Sequence, residues 1–192
     1  MLPKWATTAF EEYRANRIAD YVLKFVKQGE TVLDCGCGSM LVTQAIQHRS
    51  GASVFGADVL HLNRTRLSMC VCPGERLAFA SQSVDVVLLI AVLHHTRHTV
   101  QTLEECLRVA RERVIVLEDV YGSRMELHLL KALDWLGNRS MSLEMNLPYE
   151  FKSEREWERL WSALGTRVKT VKHVRPIPWR PSRHRLYVIE RL

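Results

Sequence analysis

The feature that most narrows the fold of this chain is a regular alternation between two hydrophobic periods. Apolar residues recur at helical spacing, then in short β-branched runs, then at helical spacing again, which is the pattern of strand–helix–strand units. Thr8-x-x-Glu11 makes a capping box, Ile18, Val22, Phe25 and Val26 follow on one helical face, and Gln28-Gly29 ends that helix. Thr31–Asp34 reads as a short buried strand, Leu41, Val42, Ala45 and Ile46 as a helix, and Ala52–Ala57 as a second strand. A helix through Leu60–Leu67 and a short third strand at Leu77–Phe79 are expected next. Val84–Ile90 is an unbroken run suited to a strand covered on both faces. Val100, Leu103, Cys106, Leu107 and Ala110 form another helical stripe, and Val114–Leu117 a fifth strand. Ser123-x-x-Glu126 opens a helix to Leu136 that stops at Gly137, and Ser153-x-x-Glu156 opens one that carries Trp157, Leu160, Trp161 and Leu164 to Gly165. Two strands, about Arg167–Val174 and Arg185–Ile189, are joined by the short Pro-rich link Pro176–Pro181, which suits an antiparallel pair.

This order predicts an α/β fold of the Rossmann-like, doubly wound kind. Its mostly parallel seven-stranded sheet would end in a C-terminal antiparallel pair. With 192 residues the chain is expected to form one domain over 1–192, with a helical cap or substrate segment at about 122–152 after strand five. The longest uncharged apolar run, Val86–Leu93, is too short for a membrane span. Early Glu11 and Glu12 argue against a signal peptide. The five cysteines are odd in number, so a disulfide framework is not expected, and a cytoplasmic setting is. The two C-x-C pairs have the wrong gap for structural zinc, and no metal site is expected. The net charge of +6 is uneven: residues 165–192 hold eight basic groups and one acid, and the rest is close to neutral.

The chemistry concentrates in Val32-Leu33-Asp34-Cys35-Gly36-Cys37-Gly38-Ser39, a glycine-rich turn between strand and helix. Such a turn lets a ligand approach the backbone and aims helix N-terminal amides at it. Asp58 ends the second strand 20 positions after Gly38, where an acid binds both hydroxyls of a ribose. The dinucleotide pattern G-x-G-x-x-G is incomplete, because Leu41 stands at its third glycine. Asp34, just before the first glycine, would repel a pyrophosphate but suits an ammonium group. An amino-acid-bearing nucleoside is therefore the better fit.

The stretch VLDCGCGS resembles motif I of class I S-adenosylmethionine-dependent methyltransferases, and VFGADVL resembles their motif II. ERLAFASQSVDVVLLIAVLHHT resembles the segment from the adenine loop through the fourth strand in the small-molecule "methyltransferase 11" branch, and RVARERVIVLEDVY the following helix and strand. The resemblance covers about residues 15–120. It implies that Asp34, Gly36 and Gly38 surround the methionine part of S-adenosylmethionine and that Asp58 holds the ribose. Gly74 and Glu75 would flank the adenine and Ala91 lie near the sulfonium, with S-adenosylhomocysteine as product. Two positions depart from the family: Met40 stands where a third glycine is usual, and Pro73 where an Asp commonly accepts from the adenine amino group.

Methyl transfer needs an aligned nucleophile, and a base only if that nucleophile starts protonated. Candidates for this work are His94, His95 and Glu118, with Asp119 and Tyr121 nearby and His98 a weaker choice. The broad apolar helix after Ser123 is the expected substrate element, with Tyr121, Met125, His128 and Leu129 as candidate contacts. That helix also leaves room for a homodimer or a membrane surface. The expected partner is a small, partly apolar or anionic acceptor. Two alternatives stand beside it: an RNA methyltransferase using the basic region around Arg175, Arg180, Arg183, Arg185 and Trp179, or a non-catalytic binding module.

Overall fold

The computed structural model describes residues 4–138, 148–179 and 181–191. Among the described residues five α-helices and eight strands follow one another as α1 (Lys4–Val22), β1 (Thr31–Cys35), α2 (Leu41–Ser50), β2 (Ser53–Asp58), β3 (Met69–Val71), β4 (Val84–Ile90), α3 (Thr99–Val109), β5 (Ala110–Tyr121), α4 (Arg124–Asn138), β6 (Lys152–Ser153), α5 (Glu154–Ala163), β7 (Thr166–Val174) and β8 (Arg183–Arg191). The sheet runs β3-β2-β1-β4-β5-β8-β7, parallel up to β5 and antiparallel through β8 and β7. The expected doubly wound sheet with an antiparallel pair is thus present. An eighth strand was not expected: the two-residue β6 pairs with the end of β5.

Alternation along the central strands divides the core in two. Val86, Leu88, Ile115 and Leu117 face α1 and α2, where Ile18, Val22 and Ile46 pack. Val87, Leu89, Val114 and Val116 face α3 and α5, where Leu103, Cys106, Trp157 and Trp161 pack. Full coverage of both faces explains why β4 and β5 carry no polar alternation. The α5 capping box forms as expected, with Ser153 and Glu156 exchanging hydrogen bonds.

Four elements differ from the expectations. No helix forms over residues 60–67: Asn63 Oδ1 accepts from the Thr65 amide and hydroxyl, its amide donates to the Leu67 carbonyl, and Asp58 Oδ1 accepts from the Leu60 amide. These local side-chain bonds out-compete helical pairing. The third strand is Met69–Val71, not Leu77–Phe79, because Met69, Cys70 and Val71 are in register with Gly56, Ala57 and Asp58. Leu77 is buried in a loop and its amide is held by Glu105. The first helix begins at Lys4, ahead of the Thr8 box, and α4 runs through Gly137.

The basic surplus of the closing strands is partly neutralised in place. Arg185 binds both oxygens of Glu154, Arg183 pairs with Glu126, and Lys169 with Glu190. Arg180 and the part of the expected cap over 139–147 lie outside the described residues.

A buried ion pair joins the start of β5 to the turn before β1. Arg113 Nη2 lies 2.6 and 2.8 Å from the two Glu30 oxygens, and its guanidinium also donates to the Phe25 carbonyl. Losing one partner of a buried pair strands the other charge. Glu30→Met is expected to lower stability by about 3–5 kcal/mol, and Glu30→Met with Arg113→Met by less than the sum of those two single changes. Urea midpoints of the four proteins check this.

Candidate functional site

At the carboxyl ends of the parallel strands the chain encloses a cavity of about 520 Å³. Its walls come from the turn after β1 (Asp34–Ser39), the end of β2 (Ala57–Leu60), Cys72, Gly74 and Glu75 after β3, and Ile90–Val92 after β4. A parallel sheet places its binding crevice there, where successive crossovers diverge to opposite faces.

The β1 turn is shaped by close packing. Gly36 has φ +78°, and a Cβ on it would lie 2.4 Å from a Val92 methyl, so only glycine fits against the β4 turn. The Gly38 amide donates to Asp58 Oδ2 at 2.8 Å, which ties the β1 turn to the end of β2. Met40 occupies the position where a glycine was expected, and it adopts the same left-handed backbone, φ +60°. The departure therefore leaves the turn in place. Its side chain is fully buried and extends over Gly56, the residue that leaves space for it. Pro73 is exposed and does not line the cavity.

Asp34 is 2% exposed. One oxygen accepts from the Thr43 hydroxyl at 2.5 Å; the other has no hydrogen-bond partner. Burial pushes the carboxyl up from 3.8 to about 6, against the Thr43 bond and with a contribution from Asp58. Asp58 accepts from Gly38 and Leu60 and faces the same cavity. Two carboxylates in one cleft, one of them an orphaned buried acceptor, suit a ligand with an ammonium group and a vicinal diol.

The wall after β4 is held by a single carboxylate. Glu118, at the end of β5 and 1% exposed, accepts from the Val92 and Leu93 amides at 2.8 and 2.7 Å and bonds His94 Nδ1 at 2.6 Å. These contacts shape the turn in which Ala91 has φ +55° and its amide donates to the Leu117 carbonyl. The next residues form a 3-10 turn, Leu93–His95. His94 is buried beneath Phe151, with ring centroids 4.4 Å apart, and its Nε2 lies 3.6 Å from Asp134 Oδ1. His95 Nε2 lies 3.7 Å from the other Asp134 oxygen. Burial alone would push His94 down, but Glu118 and Asp134 outweigh it and raise it to about 10. Burial and the neighbouring His94 push His95 down to about 4.

The structure brings together Asp34, Gly36, Gly38, Asp58, Gly74, Glu75, Ala91 and His95, all of which line the cavity. His94 and Glu118 stand directly behind that wall. Glu75 also accepts from the Thr96 hydroxyl. Tyr121, Met125, His128 and Leu129 do not reach the cavity. Tyr121 donates to Glu156, Met125 is 80% exposed, His128 is exposed, and Leu129 lies over a separate surface dimple beside Arg183. The physical reason is the rotation of α4, which turns Leu130 to the core and Asp134 toward the cavity. Asp119 points away from Glu118, as alternate strand residues do, and meets His184 at 3.1 Å. His98 is exposed ahead of α3. Asp134 is the site residue that sequence reading missed. Its one signal is an acid inside an otherwise apolar helical stretch.

Residues 33–117 match the family described as the methyltransferase domain. No curated protein matches the chain in sequence. Solved structures are similar in fold. A chain of the Haloferax volcanii complex of the Trm112 methyltransferase activator is 19% identical, with a TM-score of 0.71 over 96% of this chain and 94% of that one. Geranyl diphosphate methyltransferase in complex with S-adenosylmethionine is 14% identical, with a TM-score of 0.70 over 92% and 85%. Magnesium protoporphyrin IX methyltransferase from Synechocystis PCC 6803, with bound S-adenosylhomocysteine, is 13% identical, with a TM-score of 0.66 over 100% and 89%.

The pH behaviour of Asp34 separates its cost from its use. Its carboxyl in the folded chain lies above the ordinary value, so its ionisation destabilises the fold above about pH 6 and costs nothing below 3.8. Asp34→Asn is expected to raise stability at pH 8 by on the order of 2–3 kcal/mol, with the gain vanishing near pH 4. The same change should weaken ligand binding in the cavity. Thermal melts across that pH range, with and without S-adenosylhomocysteine, check both.

Proposed function

We propose that this chain is a class I S-adenosylmethionine-dependent methyltransferase and that it methylates a small acceptor held between Ala91 and the His95–Asp134 wall. The observation that carries this reading is the shared cavity. Asp34 and Asp58 face it from one side, and His95 and Asp134 face it from the other. S-adenosylmethionine supplies an electrophilic methyl group on a positively charged sulfur.

The chain's own residues have four tasks. Asp58 accepts the ribose hydroxyls, and the free oxygen of Asp34 holds the ammonium group. Gly74 and Glu75 border the adenine end, and Ala91 leaves the methyl end uncovered. His95 and Asp134 receive the polar end of the acceptor. Glu118 and His94 are positioning residues: every Glu118 oxygen is already engaged, and they act by fixing the turn that carries Ala91 and His95. An acceptor seated between Ala91 and His95 would have its lone pair aligned behind the methyl carbon that S-adenosylmethionine would supply.

A small acceptor is favoured over RNA by the state of the basic region. Arg183, Arg185 and Lys169 are paired with Glu126, Glu154 and Glu190, and Trp179 stacks on Tyr13 with ring centroids 5.7 Å apart. Two proteins of similar fold, described above, are methyltransferases named for small acceptors, geranyl diphosphate and magnesium protoporphyrin IX. Among the described residues no helix is long and apolar enough to cross a membrane.

Purified protein is expected to gain thermal stability with S-adenosylhomocysteine. Asp58→Ala should weaken that binding by about 10–100-fold, the worth of hydrogen bonds to a charged group. Labelled methyl transfer is expected into a small-molecule extract and not into total RNA. Transfer into RNA alone would replace the small-acceptor reading, and absence of any ligand-induced shift in folded protein would overturn the cofactor assignment.

A further inference from the structure

We propose that His94, His95 and Asp134 form a binding site for one divalent transition-metal ion of the zinc class, opening on the acceptor side of the cavity. The two imidazoles and the carboxylate each offer one ligand atom, and the three atoms lie within 4.8 Å of one another. The separations of 3.6 and 3.7 Å between Asp134 and the two Nε2 atoms are too long for hydrogen bonds. They are close to the spacing of two ligands that share an ion through bonds of about 2.0–2.2 Å in tetrahedral geometry.

His94 supplies the second, independent observation. It is 2% exposed, and its Nε2 has no hydrogen-bond partner although it points at Asp134. A buried polar nitrogen left this way calls for a partner. The other ring nitrogen is taken by Glu118, and Phe151 stacks on the ring face. The Glu118 carboxylate takes Nδ1 and so turns Nε2 toward Asp134, where an ion would displace the Nε2 proton, the arrangement found behind metal-bound histidines. The N, N, O donor set favours zinc, cobalt or manganese over magnesium or calcium. His95 and Asp134 line the cavity, so a three-ligand site there leaves its remaining position facing the acceptor.

The consequence rests on the methyl-transfer reading; the metal site itself does not. An ion at this place would bind an acceptor through a hydroxyl oxygen and lower its pKa. The hydroxyl proton leaves to solvent, and the oxygen lone pair forms the bond to the methyl carbon. The carbon–sulfur pair returns to sulfur, and the ion changes neither charge nor oxidation state. The acceptor class is then a hydroxylated small molecule.

The test uses the full chain freed of metal by a chelator and titrated with zinc, with magnesium as control, by calorimetry. One zinc per chain is expected, with much weaker binding of magnesium. His95→Ala and Asp134→Ala should each weaken zinc binding at least tenfold, and Glu118→Gln by about 10–100-fold through the orientation of His94. Cobalt substitution should give a spectrum without thiolate-to-metal bands, which separates this site from Cys70 and Cys72, whose sulfurs lie 3.6 Å apart. S-adenosylhomocysteine binding, measured on every protein, reports folding and the cofactor reading separately. Zinc binding that is absent, or unchanged in His95→Ala and Asp134→Ala proteins that still bind S-adenosylhomocysteine, would overturn the proposal and leave a proton as the occupant of His94. Zinc binding without S-adenosylhomocysteine binding would uphold the site and sink the cofactor reading.

Discussion

The carboxylate of Glu118 is the contact on which the rest of the site depends. It is buried at the end of β5, yet it accepts from two consecutive amides of the neighbouring β4 turn and from an imidazole. A buried acid survives only when its lone pairs are met by donors. Here the donors belong to the segment that lines the cavity. The bond network therefore fixes where β4 stops, holds Ala91 in a left-handed backbone, and sets the side from which His95 approaches. The register of β4 on β5, with Ile90 beside Leu117, brings Glu118 one residue beyond the last paired position, level with the turn.

The opposite wall obeys a different constraint, that of space. Gly36 exists to admit Val92, and Gly56 to admit Met40 and Cys37. The two turns that enclose the cavity thus interlock, and neither can be reshaped alone. Met40 shows how a departure from a motif is tolerated. The backbone keeps the conformation a glycine would take, at a cost of about 1–3 kcal/mol, and complete burial of the side chain offsets it by a similar amount.

Much of this was legible in the sequence, for reasons that can be stated. The β1 turn and the acid ending β2 depend on residues close together in the chain, so spacing alone located Asp34, Gly36, Gly38 and Asp58. The central strands were readable because burial on both faces leaves an unbroken apolar run. What failed depended on competition or distance. The residues after Asp58 have helix-like apolar spacing, but Asn63 and Thr65 bond to nearby backbone instead. The third strand was misplaced because edge pairing to β2 selects Met69–Val71 and leaves the more apolar Leu77 to a loop. Asp134 was invisible because its meeting with His94 and His95 depends on the rotation of α4, which no local pattern encodes. The pairing of Lys169, Arg183 and Arg185 with acids on β8, α4 and α5 was hidden for the same reason, since each pair joins residues far apart in the chain.

The position of β8 sets the order in which this sheet can be completed during synthesis. β8 lies between β5 and β7, and its residues Arg183–Ile189 pair with Val114–Val120. Until they leave the ribosome, β5 is an open edge flanked by two apolar faces. The nascent chain then displays the apolar run Val114–Leu117 with one side unpaired, a template for association with other chains. Removing β8 would convert a central strand into an adhesive border.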